Sequence, residues 1–323
     1  MPVPKKKVVV VYADDTGAPP PSLREGDKLA TICITSDTEY TKKELQDAGA
    51  IFLWDNSIPI SLFEPLPKEL EWIHVGGLGV NGVVTPDVVM SDIVVTNTRG
   101  ILEHPIAEYV LGLMLMIAKD FRKTIEFQRL QEWNRRQTAS LRGHTVVLIG
   151  PGGIGREVFT LLQLNGVKVV PVGRRAVQND PIFGTVHSIE ELKDLLPVAD
   201  TVVLSLPLTT ETSRIMDESR FSQMKRGACL INIGRGGLVD ESALIKALES
   251  GQVGNAALDV FTTEPLPKDH PFWCMDQVFV SPHISADFYG CEDLTVTSFL
   301  ENLERWVNGR PLENVVDKAA RTS

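Results

Sequence analysis

The chain has 323 residues, about twice the length of an ordinary domain, so two domains are expected. Its 43% hydrophobic and 23% charged residues are typical of a globular protein with material for a core in each domain. The net charge of -10 argues against nucleic acid or an anionic membrane as a partner, because both bind basic surfaces.

The cysteines and the apolar runs narrow the setting further. Cys33, Cys229, Cys274 and Cys291 show no CxxC spacing, so neither a zinc or other metal site nor a disulfide framework is predicted. The apolar stretch near the N-terminus is four valines long, too short for a signal peptide. The longest apolar run, 109–118, falls short of the roughly 20 residues of a membrane helix. We therefore expect a cytoplasmic protein with reduced thiols.

The first hundred residues contain short β-rich runs separated by helix-like pieces. Strands are predicted at residues 8–11, 51–54, 72–75 and 93–96. A helix is predicted over 41–48 with Gly49 as its C-cap, and the proline run 19–21 predicts a surface loop.

A long helical pattern follows from residue 104 to about 133. Its apolar residues recur near helical spacing, as at Ile106, Val110, Met114 and Phe121. The first half is apolar almost all round, so this helix is expected to be buried between domains or between subunits.

From residue 146 onward, strands and helices alternate regularly. Strands are predicted at 146–149, 167–172, 201–206, 228–233, 256–260 and 278–280. Helices are predicted from the first of these strands to about 165, then at 189–196, 219–225, 241–250 and 292–308. This alternation is typical of βαβ units, and the predicted fold class is α/β with doubly wound parallel sheets.

A dinucleotide-binding pattern joins the strand at 146–149 to its helix. Gly150, Gly152 and Gly155 form GxGxxG, with Gly153 and Ile154 between them. The glycines permit a tight turn, a close approach to a pyrophosphate and close packing of helix on strand. A glycine-rich turn without a ligand is the alternative.

The end of the next strand bears on the choice of cofactor. NAD enzymes place a carboxylate there for the ribose 2′-hydroxyl, whereas this chain has Arg174 and Arg175 and no carboxylate before Asp180. Guanidinium groups bind a 2′-phosphate, so NADP(H) is favoured and NAD(H) stays possible. The alternative is that both arginines belong to a solvated turn.

Three later segments carry a resemblance. They are NIGRGGLVD at 232–240, ALDVFTTEP at 257–265 and SPHIS at 281–285. Together with the glycine motif, they resemble the D-isomer-specific 2-hydroxyacid dehydrogenases over about residues 45–317, most closely the glyoxylate/hydroxypyruvate reductases. The resemblance implies NAD(P)H-dependent reduction of a small 2-keto acid to a D-2-hydroxy acid.

The resemblance assigns roles that this reaction also requires. Arg235 would bind the substrate carboxylate and polarise the carbonyl, and His283 would protonate the developing alkoxide. Glu264 would hydrogen-bond the imidazole and favour its protonated form. Each residue alone has an ordinary alternative: a surface charge for Arg235, a core histidine for His283 and a turn for Glu264.

Other positions follow from the same resemblance. Residues expected to line the cofactor are Leu206, Pro207, Thr212, Ile233, Gly234, Asp259 and Ser285. Residues expected at the substrate, besides Arg235 and His283, are Trp54, Gly77, Leu78 and Gly79. Leu78 and Gly79 are the expected backbone N–H donors to the carboxylate, although an ordinary flexible turn and a core tryptophan are the alternatives. Asn81 and Ser285 depart from the family's usual aspartate and small residue.

The resemblance also implies an organisation. Residues 1–102 plus 288–323 are expected to form a substrate domain and 103–287 an NAD(P)-binding Rossmann domain, with the active site in the cleft and a homodimer supported by the helix from residue 104. One rival is a nucleotide-sensing corepressor of the same fold, which the acidic surface and lack of disordered tails argue against. Another is an NAD-linked formate- or phosphoglycerate-type dehydrogenase. The first would carry Gln rather than Glu264, and the second is expected to have a further regulatory domain.

Overall fold

The computed structural model describes residues 5–13, 17–55 and 57–319. The chain divides into two compact units. The first comprises the described residues within Met1–Leu102 and Phe288–Ser323, and the second comprises Glu103–Asp287. Both units contain a mostly parallel sheet with flanking helices, so the predicted α/β fold class is confirmed.

The described elements are numbered here in chain order. The strands are β1 (Lys7–Val11), β2 (Thr31–Thr35), β3 (Ala50–Leu53), β4 (Trp72–Val75), β5 (Val94–Asn97), β6 (Thr145–Ile149), β7 (Lys168–Gly173), β8 (Val177–Asp180), β9 (Gly184–Ser188), β10 (Thr201–Leu204), β11 (Ala228–Asn232), β12 (Val253–Leu258) and β13 (Val278–Val280). The α-helices are α1 (Thr38–Leu45), α2 (Pro86–Met90), α3 (Glu103–Ala118), α4 (Phe121–Arg129), α5 (Gly153–Leu164), α6 (Leu192–Leu195), α7 (Glu218–Gln223), α8 (Glu241–Glu249) and α9 (Cys291–Val307). Short 3-10 helices lie at Pro21–Lys28, Ile60–Phe63, Ile189–Glu191, Leu196–Val198, Gly236–Leu238 and Pro271–Cys274. None of the helices in the described ranges combines the length and apolar character that a membrane span requires.

The sheet of the first unit is parallel, with the strand order β2-β1-β3-β4-β5 among the described residues. Successive strand residues point to opposite faces, and both faces are covered. In β1, Val8 and Val10 pack into the core with α9, whereas Val9 and Val11 pack into the core on the other face. The segment after α9 runs antiparallel to β5, where Val316 N–H donates to the Val95 carbonyl at 2.8 Å.

The described strands of the second unit follow the order β13-β12-β11-β10-β6-β7-β9-β8. Every pairing is parallel except that of β8 with β9. β6 pairs with β7 on one side and with β10 on the other, so the winding direction reverses at β6. Such a switch point leaves a crevice at the carboxyl ends of the strands, where doubly wound sheets bind ligands.

The prediction of one helix over 104–133 is wrong. The chain breaks between α3 and α4, and Asp120 adopts a left-handed conformation with φ of 50°. Aspartate tolerates this conformation better than most residues. Arg136 holds the break, since its Nε donates to Asp120 Oδ2 at 2.9 Å. α3 buries Ile106, Val110 and other residues of one face, whereas α4 buries none.

Three other local features differ from the sequence-based expectation. β2 and the β8–β9 hairpin were not predicted, because both are short and lie at sheet edges. α1 begins and ends three residues earlier than predicted, and Gly49 is not its C-cap. A Cβ on Gly49 would lie 2.7 Å from the Trp306 ring, so this glycine permits close packing instead. The proline run leads into the 3-10 helix that begins at Pro21.

Candidate active site

The glycine motif forms the turn between β6 and α5. Gly150 has φ of 112°, and a Cβ there would lie 2.7 Å from the backbone N of Leu206. A Cβ on Gly155 would lie 2.1 Å from the Gly150 carbonyl oxygen, so α5 and the turn touch through these two glycines. A Cβ on Gly152 would meet nothing within 4 Å. The turn therefore leaves the N-terminus of α5, at Gly153 and Ile154, open to an anion.

A carboxylate that the sequence did not single out lies beside this turn. Glu103, the first residue of α3, is 8% exposed. Its Oε1 lies 3.1 Å from the position that a Cβ of Gly153 would take. The carboxyl group of Glu103 thus lies on the Gly153 side of the turn and leaves the Gly152 side open.

Two arginines follow β7, the strand beside β6. Arg174 and Arg175 are exposed, and Arg174 Nη1 lies 4.0 Å from Glu211 Oε2. Asp180, the first carboxylate after β7, receives two hydrogen bonds from Arg156, at 3.0 and 2.9 Å. Arg156 and neighbouring backbone N–H groups hold the pKa of Asp180 well below its usual range. Asp180 is thus already paired with Arg156, and the side chains of both arginines after β7 are exposed.

The loop after β10 contains three of the predicted cofactor residues. Leu206 is buried in the core, whereas Pro207 is exposed. The Thr212 hydroxyl donates to the Pro207 carbonyl at 2.8 Å and accepts from Thr209 N–H at 2.7 Å. The Thr212 hydroxyl therefore holds the loop together. The same loop lies beside the glycine turn, since a Cβ on Gly150 would meet Leu206.

Arg235 lies in a turn built by the last residue of β11. Asn232 is 1% exposed. Its Oδ1 accepts from Gly234 N–H at 3.1 Å, and its Nδ2 donates to the Arg235 carbonyl at 2.9 Å. Ile233 between them is 4% exposed. Both amide atoms of Asn232 thus hold the turn, and they fix the backbone of the half-buried Arg235.

Glu264 and His283 form a hydrogen-bonded pair. Glu264 Oε2 lies 2.8 Å from His283 Nδ1, and Oε1 accepts from Phe261 N–H at 2.8 Å. The side chains of His283 and Glu264 are 41% and 35% exposed. The hydrogen bond to Glu264 raises the pKa of His283 against the opposing effect of burial. Burial acts to raise the pKa of Glu264, but the bonds from His283 and Phe261 outweigh it, and this pKa is lowered.

A buried aspartate shapes the turn that carries His283. Asp259 accepts from the Ser281 hydroxyl at 2.7 Å and from the N–H groups of Ile284 and Ser285 at 3.0 and 2.9 Å. His283 itself has φ of 55°. The Asp259 carboxylate was expected to line the cofactor. Its described hydrogen bonds hold the His283 turn.

These three chemical groups come together because their strands are neighbours. Arg235, Glu264 and His283 follow β11, β12 and β13, which lie side by side in the sheet. The positive charge of Arg235 acts on both members of the Glu264–His283 pair. The arrangement supplies a cation and a proton donor at one edge of the sheet.

The predicted substrate residues of the first unit lie after β3 and β4. Trp54 is half-buried, and its ring contacts Phe52 edge to face at 5.7 Å between centroids. A Cβ on Gly76 would lie 2.4 Å from the Trp54 carbonyl oxygen, so loop 76–79 passes close to Trp54. Gly77 is buried, and Leu78 and Gly79 are partly exposed.

Comparisons with known proteins identify the family of this chain. The family model for the D-isomer specific 2-hydroxyacid dehydrogenase NAD binding domain matches residues 111–285. The glyoxylate reductase of Aeropyrum pernix is 31% identical over 291 residues, covering 87% of this chain and 86% of that protein. The D-3-phosphoglycerate dehydrogenase of Methanocaldococcus jannaschii is 30% identical over 87% of this chain, which spans about half (54%) of that relative's length.

A solved structure gives the same result for the fold. The NADPH-dependent glyoxylate/hydroxypyruvate reductase of Sinorhizobium meliloti, in complex with NADP and sulfate, matches with a TM-score of 0.80. Its sequence is 26% identical, and the match covers 98% of this chain and 99% of that one. The chain belongs to the D-isomer-specific 2-hydroxyacid dehydrogenase family, as the sequence resemblance predicted.

Proposed function

We propose that the protein is an NADPH-preferring reductase that converts small 2-keto acids to D-2-hydroxy acids, with glyoxylate and hydroxypyruvate as the first candidates. The observation that carries this proposal is the 2.8 Å bond between Glu264 and His283 at a sheet edge shared with Arg235. Relatives named glyoxylate reductase, at about 30% identity over most of the chain, support the substrate class.

The reaction divides between a bound nicotinamide and the residues of this chain. The reduced nicotinamide, when bound, supplies the hydride to the keto carbon. Arg235 binds the substrate carboxylate and polarises the keto oxygen. Because Nδ1 of His283 is bonded to Glu264, Nε2 is the atom that donates the proton to the developing alkoxide. The imidazole is reprotonated from solvent before the next turnover.

The remaining predicted residues take supporting roles in the proposal. The open N-terminus of α5 receives the pyrophosphate, and Arg174 and Arg175 bind the 2′-phosphate of NADPH. Loop 76–79 offers the backbone N–H groups of Leu78 and Gly79 to the substrate carboxylate, beside Trp54. The solved structure of the Sinorhizobium meliloti reductase, which is in complex with NADP, supports this cofactor type.

We extend the proposal to a cytoplasmic homodimer. α4 buries none of its residues, yet Phe121 and Ile125 on it are each 49% exposed, and Trp133 beyond it is fully exposed. A second copy of the chain would cover these apolar side chains. None of the four cysteines forms a disulfide within the described residues, which suits a reducing compartment. Light scattering or sedimentation of the purified chain measures the assembly directly.

A screen of cofactor oxidation tests the proposed reaction. NADPH and NADH are each supplied with glyoxylate, hydroxypyruvate, pyruvate, 3-phosphohydroxypyruvate or bulkier 2-keto acids, and the loss of absorbance at the nicotinamide band is followed. We expect the highest kcat/KM with NADPH and a small 2-keto acid, and only D-product by chiral analysis. An Arg235→Ala preparation controls for contaminating reductases. Failure of every keto acid with both cofactors contradicts the proposal.

A further inference from the structure

The carbonyl groups in and just before loop 76–79 are held by the residues at the end of β5. The Thr98 hydroxyl donates to the Val75 carbonyl at 3.1 Å, and Thr98 N–H donates to the Gly77 carbonyl at 3.3 Å. The Asn97 side-chain Nδ2 donates to the Leu78 carbonyl at 3.0 Å. Asn97 is 2% exposed and Thr98 is fully buried. Buried donors thus fix three carbonyl groups of a glycine-rich segment.

Peptide geometry converts these bonds into a direction for the loop's N–H groups. In a trans peptide, the carbonyl of one residue and the N–H of the next point in opposite directions. Because the Gly77 and Leu78 carbonyls point to Thr98 and Asn97, the N–H groups of Leu78 and Gly79 point away from them. Neither N–H donates to any group within the residues that the structure describes.

The peptide just before the loop follows the same rule. The Val75 carbonyl points to Thr98, and the following N–H, on Gly76, points the other way and donates to the Leu53 carbonyl at 2.8 Å. That bond extends the pairing of β4 with β3. The N–H groups of Leu78 and Gly79 have no such strand partner in the described chain, although the carbonyls of their peptides are held in the same manner.

We propose that Asn97 and Thr98 are positioning residues that hold the Leu78 and Gly79 N–H groups as a fixed pair of donors for the substrate carboxylate. The inference rests on the proposed function, since it requires that loop 76–79 bind a carboxylate. A carboxylate accepts strong, charge-assisted hydrogen bonds from backbone N–H groups. Donors fixed before the substrate arrives lose little freedom on binding it.

The hydrogen bonding of Asn97 itself supports a role beyond packing. Its Oδ1 is buried and has no hydrogen-bond partner within the described residues. A buried acceptor without a partner destabilises the fold, and an apolar side chain of similar shape would avoid that cost. What the asparagine provides in return is the single bond from Nδ2 to the Leu78 carbonyl.

Substitutions at Asn97 and Thr98, with a matched control, test the inference. Asn97→Leu keeps the approximate shape and removes the donor. Thr98→Val removes the hydroxyl donor, and Thr98→Ser restores it. Asn302→Leu is the control, because Asn302 lies in the same unit, is also 2% exposed and bonds the backbone of Glu313 at 3.1 and 2.8 Å instead of the loop.

The readouts separate positioning from loss of stability. We measure KM and kcat for glyoxylate, Ki for oxamate, Kd for NADPH and Tm. Asn97→Leu should raise KM and Ki about three- to tenfold, with kcat changed by less than about twofold and Kd for NADPH unchanged. It should also narrow the preference for pyruvate over methyl pyruvate, because the ester lacks the carboxylate. Thr98→Val should act in the same direction and Thr98→Ser should not.

The contrary outcomes are equally specific. An unchanged KM and Ki in folded Asn97→Leu, or an equal rise in Asn302→Leu, overturns the inference. If Asn97→Leu does not fold, the Thr98→Val and Thr98→Ser pair decides by the same criterion. A wild type that reduces no 2-keto acid, or an Arg235→Ala variant with full activity, overturns the proposed function instead, so the two failures are distinguishable.

Discussion

The two units of the chain differ in the chemical groups that follow their strands. The second unit places charged side chains after β11, β12 and β13, whereas the first unit presents backbone N–H groups after β4. An asparagine at a strand end fixes each loop. Asn232 clamps its own loop and uses both amide atoms, but Asn97 reaches a loop 19 residues earlier and leaves Oδ1 without a partner in the described chain. Asn232 thus organises the Arg235 turn locally, whereas the backbone N–H groups after β4 depend on a contact between distant segments.

Two histidines, one from each unit, have pKa values that are shifted in opposite directions. His283 lies in a partly exposed loop, and the hydrogen bond to Glu264 raises its pKa. His74 lies in β4 between aromatic rings, and burial lowers its pKa to about 3. One histidine is tuned to carry a proton and the other to remain neutral. The following predictions test these contrasts, beginning with the largest expected effect.

Removing the guanidinium of Arg235 should cause the greatest loss. In the proposed reaction Arg235 binds the carboxylate and polarises the carbonyl, so Arg235→Ala should raise KM and lower kcat. Charge-assisted hydrogen bonds contribute about 1.5–3 kcal/mol each, so kcat/KM should fall on the order of a hundredfold or more. Arg235→Lys should retain part of the activity, because the charge remains but the planar fork does not. Steady-state kinetics with glyoxylate measures this, and near-normal kcat/KM in Arg235→Ala would rule out the assignment.

The arginines after β7 should affect only one cofactor. Replacing Arg174 and Arg175 with glutamine should weaken NADPH binding by about 1.5–3 kcal/mol for each charged hydrogen bond lost, with little change for NADH. Fluorescence titration of both cofactors provides the comparison. Arg226→Gln is the control, because Arg226 is also exposed in the second unit but precedes β11, at the opposite edge of the sheet. A wild type that binds NADH more tightly would show that the arginines are ordinary surface residues.

The sequence identified some contacts of the site and missed others. The glycine motif was identified from its spacing after a strand, and Arg235, Glu264 and His283 were identified because their segments resemble those of the family. The positioning of loop 76–79 by Asn97 was not identified, nor was Glu103 beside Gly153, because neither a local pattern nor the resemblance marks these contacts between residues 19 and 50 positions apart. Periodicity reports which residues face a core, and it contains no information on such pairs. The break at Asp120 was missed for the same reason, since Arg136 holds it from 16 residues away.

The link between Glu264 and His283 should appear in the pH dependence of reduction. Reduction requires protonated His283, and Glu264 raises the pKa of this imidazole above its usual value near 6.5. Glu264→Gln removes the charge and lowers that pKa, so the alkaline limb of reductive kcat/KM should move to lower pH. The oxidative direction, which needs neutral His283, should lose less.

A second glutamate serves as the control for this pH profile. Glu241 accepts from Thr262 N–H at 2.8 Å, so it holds the loop after β12 that also carries Glu264. In the described chain it makes no hydrogen bond to His283. Glu241→Gln should leave the alkaline limb in place. A limb that stays fixed in Glu264→Gln, or moves upward, would show that Glu264 is not the partner of His283.

The smallest effect is on stability alone, and it compares His74 with His283. The folded pKa of His74 lies below its unfolded value of about 6.5, so its contribution to stability is complete above about pH 6.5 and is lost as the pH falls toward 3. The free energy of unfolding then changes by about 1.4 kcal/mol per pH unit.

The contribution of His283 depends on pH in the opposite direction. Its raised pKa stabilises the fold below about pH 6.5, and this contribution is lost as the pH rises through the folded pKa. In urea unfolding, His74→Gln should therefore lose less stability than wild type between pH 6 and 5. His283→Gln should lack the stabilisation that wild type has below about pH 6.5, so its stability should fall less than that of wild type as the pH rises above 6.5. Because the other titrating groups are common to all three proteins, they cancel in these differences. An unaltered slope in His74→Gln would mean that His74 takes up a proton in the folded protein as readily as in the unfolded chain, and the contrast between the two histidines would then be lost.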